Sequence, residues 1–384
     1  MIMEKSTEGE GMTKKNGDTY PGYMSPFCGG VDVGGTKIAS ALFTREGEIS
    51  AREKVAIDKN GGDAAAAQIA GRIEALAAAA ASAGGRLAAV GISVPGIAYS
   101  ASGKVWAPNI PGWDQYPLIE KIRGQVPLAR VPNEAREPGH VPKVHVPLVL
   151  ESDRSAYVAG EAWRGAAAGA KDAVFLAVGT GIGLGIISGG RIVHGHEDIA
   201  GAVGWFALDP AFKPEYASMG CFEAEASGNS VARKARERLA AGRPSRVLDL
   251  AGGRVEAVTA ETVAAAARAG DAMAKEIVAE AVTYLAMGVA NIVSILNPET
   301  VVLGGGLFQA ADLFLEPVRR EFRRWAQPLA ARAVRIEVSA LGEDAGLYGC
   351  GRLAWQYYQE QERGHVPEVP VPARTRPGST DRKR

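Results

Sequence analysis

Residues 28–37 read Cys28-Gly29-Gly30-Val31-Asp32-Val33-Gly34-Gly35-Thr36-Lys37. A short apolar run that ends in paired glycines predicts a strand feeding a tight turn, because glycine accepts backbone angles that other residues resist. Such a turn can lay bare backbone N–H groups against phosphate oxygens, with no side chain to hold the phosphate away. The stretch does not match GxxxxGK[ST], and it does not read as GxGxxG opening a helix, which disfavours P-loop and Rossmann folds. Asp32 is acidic where a P-loop would be neutral. Two readings of it stand: a turn-capping aspartate, or a carboxylate that holds Mg²⁺ directly or through water.

Two further glycine turns follow apolar strands, at Gly179-Thr180-Gly181-Ile182-Gly183 and at Gly304-Gly305-Gly306. One such turn is weak support for phosphate binding; three after three strands are hard to explain as turns alone. Around them strands alternate with helices. The pattern predicts a hairpin about Glu46-Gly47-Glu48 and a long helix over 62–83. It predicts a strand at LAAVGISVPG, a short helix over 118–123, and a strand at PLVLESD followed by a helix through Ala166. Further helices are expected over 223–240, 259–296, 312–324 and 345–356, with a strand at VRIEVSAL. This is the order of an α/β protein. Residues 131–147 carry four prolines and read either as a plain surface loop or as a lid over the site.

The 384 residues are enough for two domains, and 47% hydrophobic content is ample for two cores. Lys+Arg and Asp+Glu both number 43, so the net charge is zero and nothing points to a nucleic-acid or membrane partner. Three scattered cysteines, Cys28, Cys221 and Cys350, do not make a disulfide framework and suit a reducing cytoplasm. Residues 1–26 and 359–384 are polar or rich in Pro, Arg and Glu, and read as a disordered leader and tail. The longest apolar runs are alanine-rich and broken by charge, so they read as amphipathic helices and not as membrane spans.

The motifs DVGGTKIASALF, VGISVPGI, GKVWAPNIPGW, ESDRSAYVAGEAWRGAAAG, FLAVGTGIGLGIISGGRIVHG, GCFEAEASG, ILNPETVVLGGGLF and LGEDAGLYG occur in this order over 29–354. Together they resemble the ROK family (repressor, open reading frame, kinase), which includes sugar kinases. The resemblance implies the actin-like ATPase (ribonuclease H-like) fold: one α/β domain of 27–150 plus 341–358, a second of 151–340, and a cleft between them. It implies Asp153 as catalytic base. It implies that the donor phosphates and nucleotide of ATP, with Mg²⁺, lie at Asp32, Gly34, Gly35, Thr36, Lys37, Gly179, Thr180, Gly181, Gly304, Gly305 and Gly306. Gly96, Asn109, Ser152, Asp153 and Glu223 would contact the sugar, and the protein would be a homodimer. The residues agree about Asp153, which follows an apolar strand and precedes a helix, where α/β sites lie. A carboxylate there can take the proton of an attacking hydroxyl, or it can simply cap the helix.

The chain also departs from the family's pattern. Where family kinases carry Glu-x-Gly-His, this chain has Ala202-Val203-Gly204-Trp205, and of the zinc-binding cysteine motif only Cys221 remains. One thiolate cannot build a tetrahedral site, so no structural zinc is expected. The usual Asn before the catalytic Asp is Ser152, and the usual Ala after it is Arg154. Trp205 either stacks on a sugar or fills the volume left by zinc and its ligands. His194, His196, Glu197 and Asp198 are candidates to restore the lost contacts, or else solvated loop residues. The leading expectation is an ATP–hexose kinase, glucokinase-like, acting on the 6-hydroxyl. The alternatives are another acceptor (an acetamido sugar, fructose or another polyol), polyphosphate as donor, or a non-catalytic sugar-binding regulator.

Overall fold

The structure is a computed structural model that describes residues 24–125 and 146–364. The expected leader up to residue 23, the proline-rich stretch up to residue 145 and the tail from residue 365 lie outside the described residues.

Two five-stranded sheets share one topology. The first has the order β3-β2-β1-β4-β7, with β1 (Ser25–Val33), β2 (Lys37–Phe43), β3 (Ile49–Ala56), β4 (Gly85–Val94) and β7 (Leu148–Ser152). Strands β1, β2 and β3 form an antiparallel meander, and β1, β4 and β7 run parallel. A small hairpin of β5 (Ile97–Tyr99) and β6 (Lys104–Trp106) follows β4. The second sheet has the order β10-β9-β8-β11-β12, with β8 (Ala173–Val178), β9 (Ile182–Ser188), β10 (Arg191–Ile192), β11 (Thr300–Gly304) and β12 (Arg335–Val338). Again three strands are antiparallel, and β8, β11 and β12 are parallel. The repeated topology explains the recurring glycine turns: one joins β1 to β2, one joins β8 to β9, and one follows β11, as Pro95-Gly96 follows β4.

Helix Gly62–Ser82 lies on the first sheet and buries Ile69, Ile73 and Leu76, one stripe at helical spacing. Helix Ala272–Leu296 is long and apolar enough to cross a membrane by length and composition, and most of it is buried in the core of the second half. Burying each such Leu or Ile contributes roughly 1.5–3 kcal/mol. The helices after β7 and β12 are exchanged between the halves. Asp153–Arg164 packs on β8 and β9, while Ala345–Glu362 packs on β1 and β4, and the two helices pack on each other. They cross at Gly160 and Gly349, where a side chain would strike the carbonyls of Ala345 and Ala156.

Several expectations are corrected in detail. The expected 223–240 helix is broken at Ser227, whose side chain caps Gly228–Ala240 by accepting from Ser230 N. The 259–296 helix is broken at Gly270-Asp271, where Asp271 caps the second piece. The last helix runs to Glu362, into the stretch expected as tail, because Tyr357 and Tyr358 pack on a buried cluster around Trp355. Strand β1 begins at Ser25, inside the expected leader. The division expected after residue 150 falls inside β7, which closes the first sheet through its pairing with β4.

Candidate functional site

The C-terminal ends of β1, β4 and β7 form one edge of the cleft. Asp32 on β1 is directly paired with Ser93 on β4, and Ser93 Oγ donates to Asp32 Oδ1 at 2.5 Å. On the other side of β4, Val94 pairs with Ser152, so Asp153 emerges two strands from Asp32. Strand spacing puts roughly 10 Å between the two positions. Both carboxylates line a cleft of about 970 Å³ between the sheets. Burial pushes the pKa of Asp32 up, against the Ser93 hydrogen bond. Burial also raises Asp153 to about 6, against the charge of Arg154, a hydrogen bond from the Arg154 N–H (2.8 Å) and the Tyr157 hydroxyl. That places a buried carboxyl near the pH at which it can give and take protons.

One glycine turn continues this edge after β1, and the other two come from the second sheet. Gly34, Gly179, Thr180, Gly181, Gly304, Gly305 and Gly306 all line the cleft, with Lys37 beside them. Gly34 N donates to Lys37 O at 2.8 Å and Gly179 N to Gly181 O at 2.9 Å, which closes both turns. Gly35 and Thr36 do not line the cleft; they sit exposed at the turn's tip, Gly35 against Asn109. Lys37 Nζ and Lys54 Nζ reach Glu343 Oε2 at 2.8 and 3.1 Å, and Arg52 forks onto Asp344.

The cleft is also lined by Gly96, Asn109, Asp153 and Glu223. The Asn109 loop is fixed by buried Trp113, which stacks on Tyr116 and donates to Gly62 O. Glu223 Oε2 accepts from Ile182 N at 2.7 Å and lies against Gly181, so it props the second glycine turn; burial raises its pKa. Ser152 does not line the cleft. Its Oγ accepts from Ser155 N and donates to Ser155 Oγ, so it caps the helix that Asp153 begins. The chain assigns capping to Ser152 and leaves Asp153 free to face the cleft.

Trp205 stands on the cleft wall 58% exposed, so it fills no buried void. His194 Nε2 lies 2.7 Å from Glu151 Oε1, and Asp198 accepts from Ser100 N and Oγ; none of the 194–198 side chains lines the cleft. Cys221 Sγ accepts from Leu208 N, and among the described residues no group of three or more His, Cys, Asp or Glu is placed to hold a metal ion.

Sequence reasoning did not single out Ser93, Tyr157, Trp106, Arg52, Lys54 or Gln309, all of them on or beside the cleft. Tyr157 was within reach, because it stands four residues after Asp153 on one helical face. Ser93 was not, because its partnership depends on the register of β1 and β4.

Two α/β sheets facing across a cleft, each beginning with a meander and ending in parallel strands, define the actin-like ATPase class. The ROK family profile matches residues 28–136 and 141–357, and the chain belongs to the ROK family. It is 32% identical over 343 residues to the glucokinase of Halalkalibacterium halodurans, covering 88% of this chain and 98% of that one. Among solved structures, the ROK family glucokinase from Streptomyces griseus in complex with glucose and AMPPNP is 31% identical, with a TM-score of 0.66. The alignment covers 86% of this chain and 99% of that one. The ROK hexokinase from Thermus thermophilus is 29% identical, with a TM-score of 0.68 over 87% of this chain and 99% of that one.

Proposed function

We propose that this protein is an ATP-dependent sugar kinase that phosphorylates a hexose at its 6-hydroxyl, with Asp153 as general base. The observation that carries the reading is one cleft that holds the Asp153 carboxyl together with all three glycine turns. The glycine turns at 34, 179–181 and 304–306 hold the donor through amides other than those of Gly34 and Gly179, which close their own turns. Asp153 takes the proton of the sugar hydroxyl as its oxygen bonds to the γ-phosphorus and the bond to ADP breaks. Tyr157 and the Arg154 N–H orient the carboxylate so that one oxygen faces the acceptor. Asn109 and Gly96 hold the sugar, and closure of the two halves excludes water.

A Mg²⁺ ion suits the residues present. Asp32 is a carboxylate in no ion pair among the described residues, with one oxygen taken by Ser93, beside the phosphate turns, and magnesium on a nucleotide takes its other ligands from phosphate and water. The ion would neutralise charge on the phosphates. A homodimer fits the exposed apolar Ile295, Trp325 and Leu329. Three free, buried cysteines suit a reducing cytoplasm.

The test is ADP release with Mg-ATP over a panel of hexoses, acetamido hexoses and polyols, repeated with Asp153→Asn. Turnover on a hexose that falls at least a hundredfold in the variant, with unchanged ATP binding, supports the reading. Near-normal turnover in the variant removes Asp153 from the role, and no turnover on any acceptor favours a sugar-binding regulator.

A further inference from the structure

Four cationic side chains line the cleft: Lys37, Arg52, Lys54 and Arg154. The first three are ion-paired, Lys37 and Lys54 sharing Glu343 and Arg52 with Asp344. Arg154 forms no ion pair among the described residues; its one hydrogen bond runs from Nη2 to the uncharged Gly96 carbonyl at 3.4 Å. The guanidinium therefore stands in the cleft with nearly all of its donors unspent.

Its position is built. The stem lies across β9, with Cδ 2.6 Å from where a Cβ on Gly183 would stand. Any side chain at 183 would displace it. The Arg154 carbonyl likewise occupies the space above Gly185. Two glycines thus clear a track that aims the guanidinium toward Gly96, whose loop follows β4 between Asp32 and Asp153. Preorganisation of this kind lowers the entropy lost on binding. The lining of this cleft includes the apolar Ile97, Trp106, Ile199, Ala202 and Trp205 together with the carboxylates of Asp153 and Glu223. Segment 201–205 runs beside the start of β9, where Gly201 O accepts from Leu184 N. A neutral hexose would offer this guanidinium only neutral oxygens, whereas an anion would make shorter, charge-assisted, bidentate bonds.

We propose that the preferred acceptor is an anionic sugar, whose carboxylate or phosphate group pairs with the Arg154 guanidinium while a separate hydroxyl is presented to Asp153. This rests on the kinase reading above and specifies its substrate class.

The experiment compares glucose with gluconate and glucose 1-phosphate, three acceptors that keep the 6-hydroxyl, in the native protein and in Arg154→Gln and Arg154→Lys. The native protein should show kcat/KM for one of the anionic acceptors at least tenfold above that for glucose. The two anions distinguish a carboxylate from a phosphate site. Arg154→Gln should collapse that ratio at least tenfold, mainly through KM, and Arg154→Lys should restore part of it. Preference for glucose in the native protein overturns the proposal and leaves the kinase reading standing. An equal fall for all acceptors in Arg154→Gln also overturns it, since the arginine then serves the transferred phosphoryl group. If no acceptor turns over, the kinase reading fails, and calorimetric titration of gluconate and glucose 1-phosphate decides the anion site. Binding that Arg154→Gln abolishes sustains the site, and no binding to the native protein overturns it.

Discussion

The carboxylate of Asp32 occupies the space directly in front of Gly346: a Cβ at 346 would lie 2.7 Å from both of its oxygens. Gly346 is the second residue of the last helix, so the chain brings a helix start, with its free N–H groups, against the end of β1. A negative charge is favourable there. The same carboxylate takes the Ser93 hydroxyl, and the two contacts fix its rotamer.

Gly346→Ala should therefore behave unlike an ordinary helical substitution. Alanine in a helix is normally worth about 1 kcal/mol over glycine. Here it must rotate Asp32 away and break the Ser93 bond. The expected outcome is a fall of at least tenfold in kcat/KM for ATP with little change in Tm, measured by steady-state kinetics and thermal denaturation on one preparation. A stabilised variant of native activity would show that Asp32 is not held by this contact.

The acid limb of activity should report Asp153. Burial is the main cause of its raised pKa, about 6, and a general base works only when deprotonated. The rate at saturating substrates should fall tenfold per pH unit below about 6 and level off above it. A profile flat down to pH 5 would assign the limb elsewhere.

Ser152→Ala separates capping from sugar binding. Loss of the cap should cost about 1 kcal/mol in urea denaturation. Because Ser152 lies off the cleft, KM for the acceptor should change less than threefold. A tenfold rise in KM without loss of stability would restore Ser152 to the sugar site.

Glu225 holds the segment between Trp205 and the Gly228–Ala240 helix. Its side chain is 3% exposed and meets Lys213 at 2.5 Å, Lys234 at 2.7 Å and the Tyr216 hydroxyl. Glu225→Ala removes the buried partner that two lysines share, leaving them Asp209 at 3.3 Å and Glu280 at 3.6 Å, and should cost about 1–3 kcal/mol by chemical denaturation. Burial raises its pKa, and the two lysines and the tyrosine more than offset that, so the net shift is downward. The stabilisation is therefore complete above the ordinary carboxyl value and is lost as pH falls below it. The Glu225→Ala deficit should shrink in acid; a deficit constant down to pH 3 would mean that packing, not charge, is lost.

Much of the fold was legible in single stretches. GGVDVGG, AVFLAVGTG and VVLGGG each combine a strand run with a turn residue type, and each strand and turn appears where those residues place it. The helix breaks at Ser227-Gly228 and Gly270-Asp271 were missed although glycine beside a capping residue is a local break signal, because the alanine-rich helical runs on either side outweighed it. At the site, backbone-borne features were legible, since a glycine turn is a local property. Side-chain roles were less so. Ser152 and Asp153 are adjacent and both can cap a helix, and only the three-dimensional path of the chain gives the cap to one and the cleft to the other.

By itself, the amino-acid sequence determined the strands, the three phosphate-type turns and the presence of a carboxylate at position 153, because these follow from local backbone preference and from the order of residues. The tertiary structure alone decided that Asp32 pairs with Ser93 and faces Gly346. It also decided that Lys37, Arg52 and Lys54 are paired with Glu343 and Asp344, about 300 positions away, and that Arg154 forms no ion pair among the described residues. The physical reason is that charge and burial depend on what surrounds a group in space. Those surroundings come from sheet register and from the exchange of two helices between the halves, which no local stretch of sequence records.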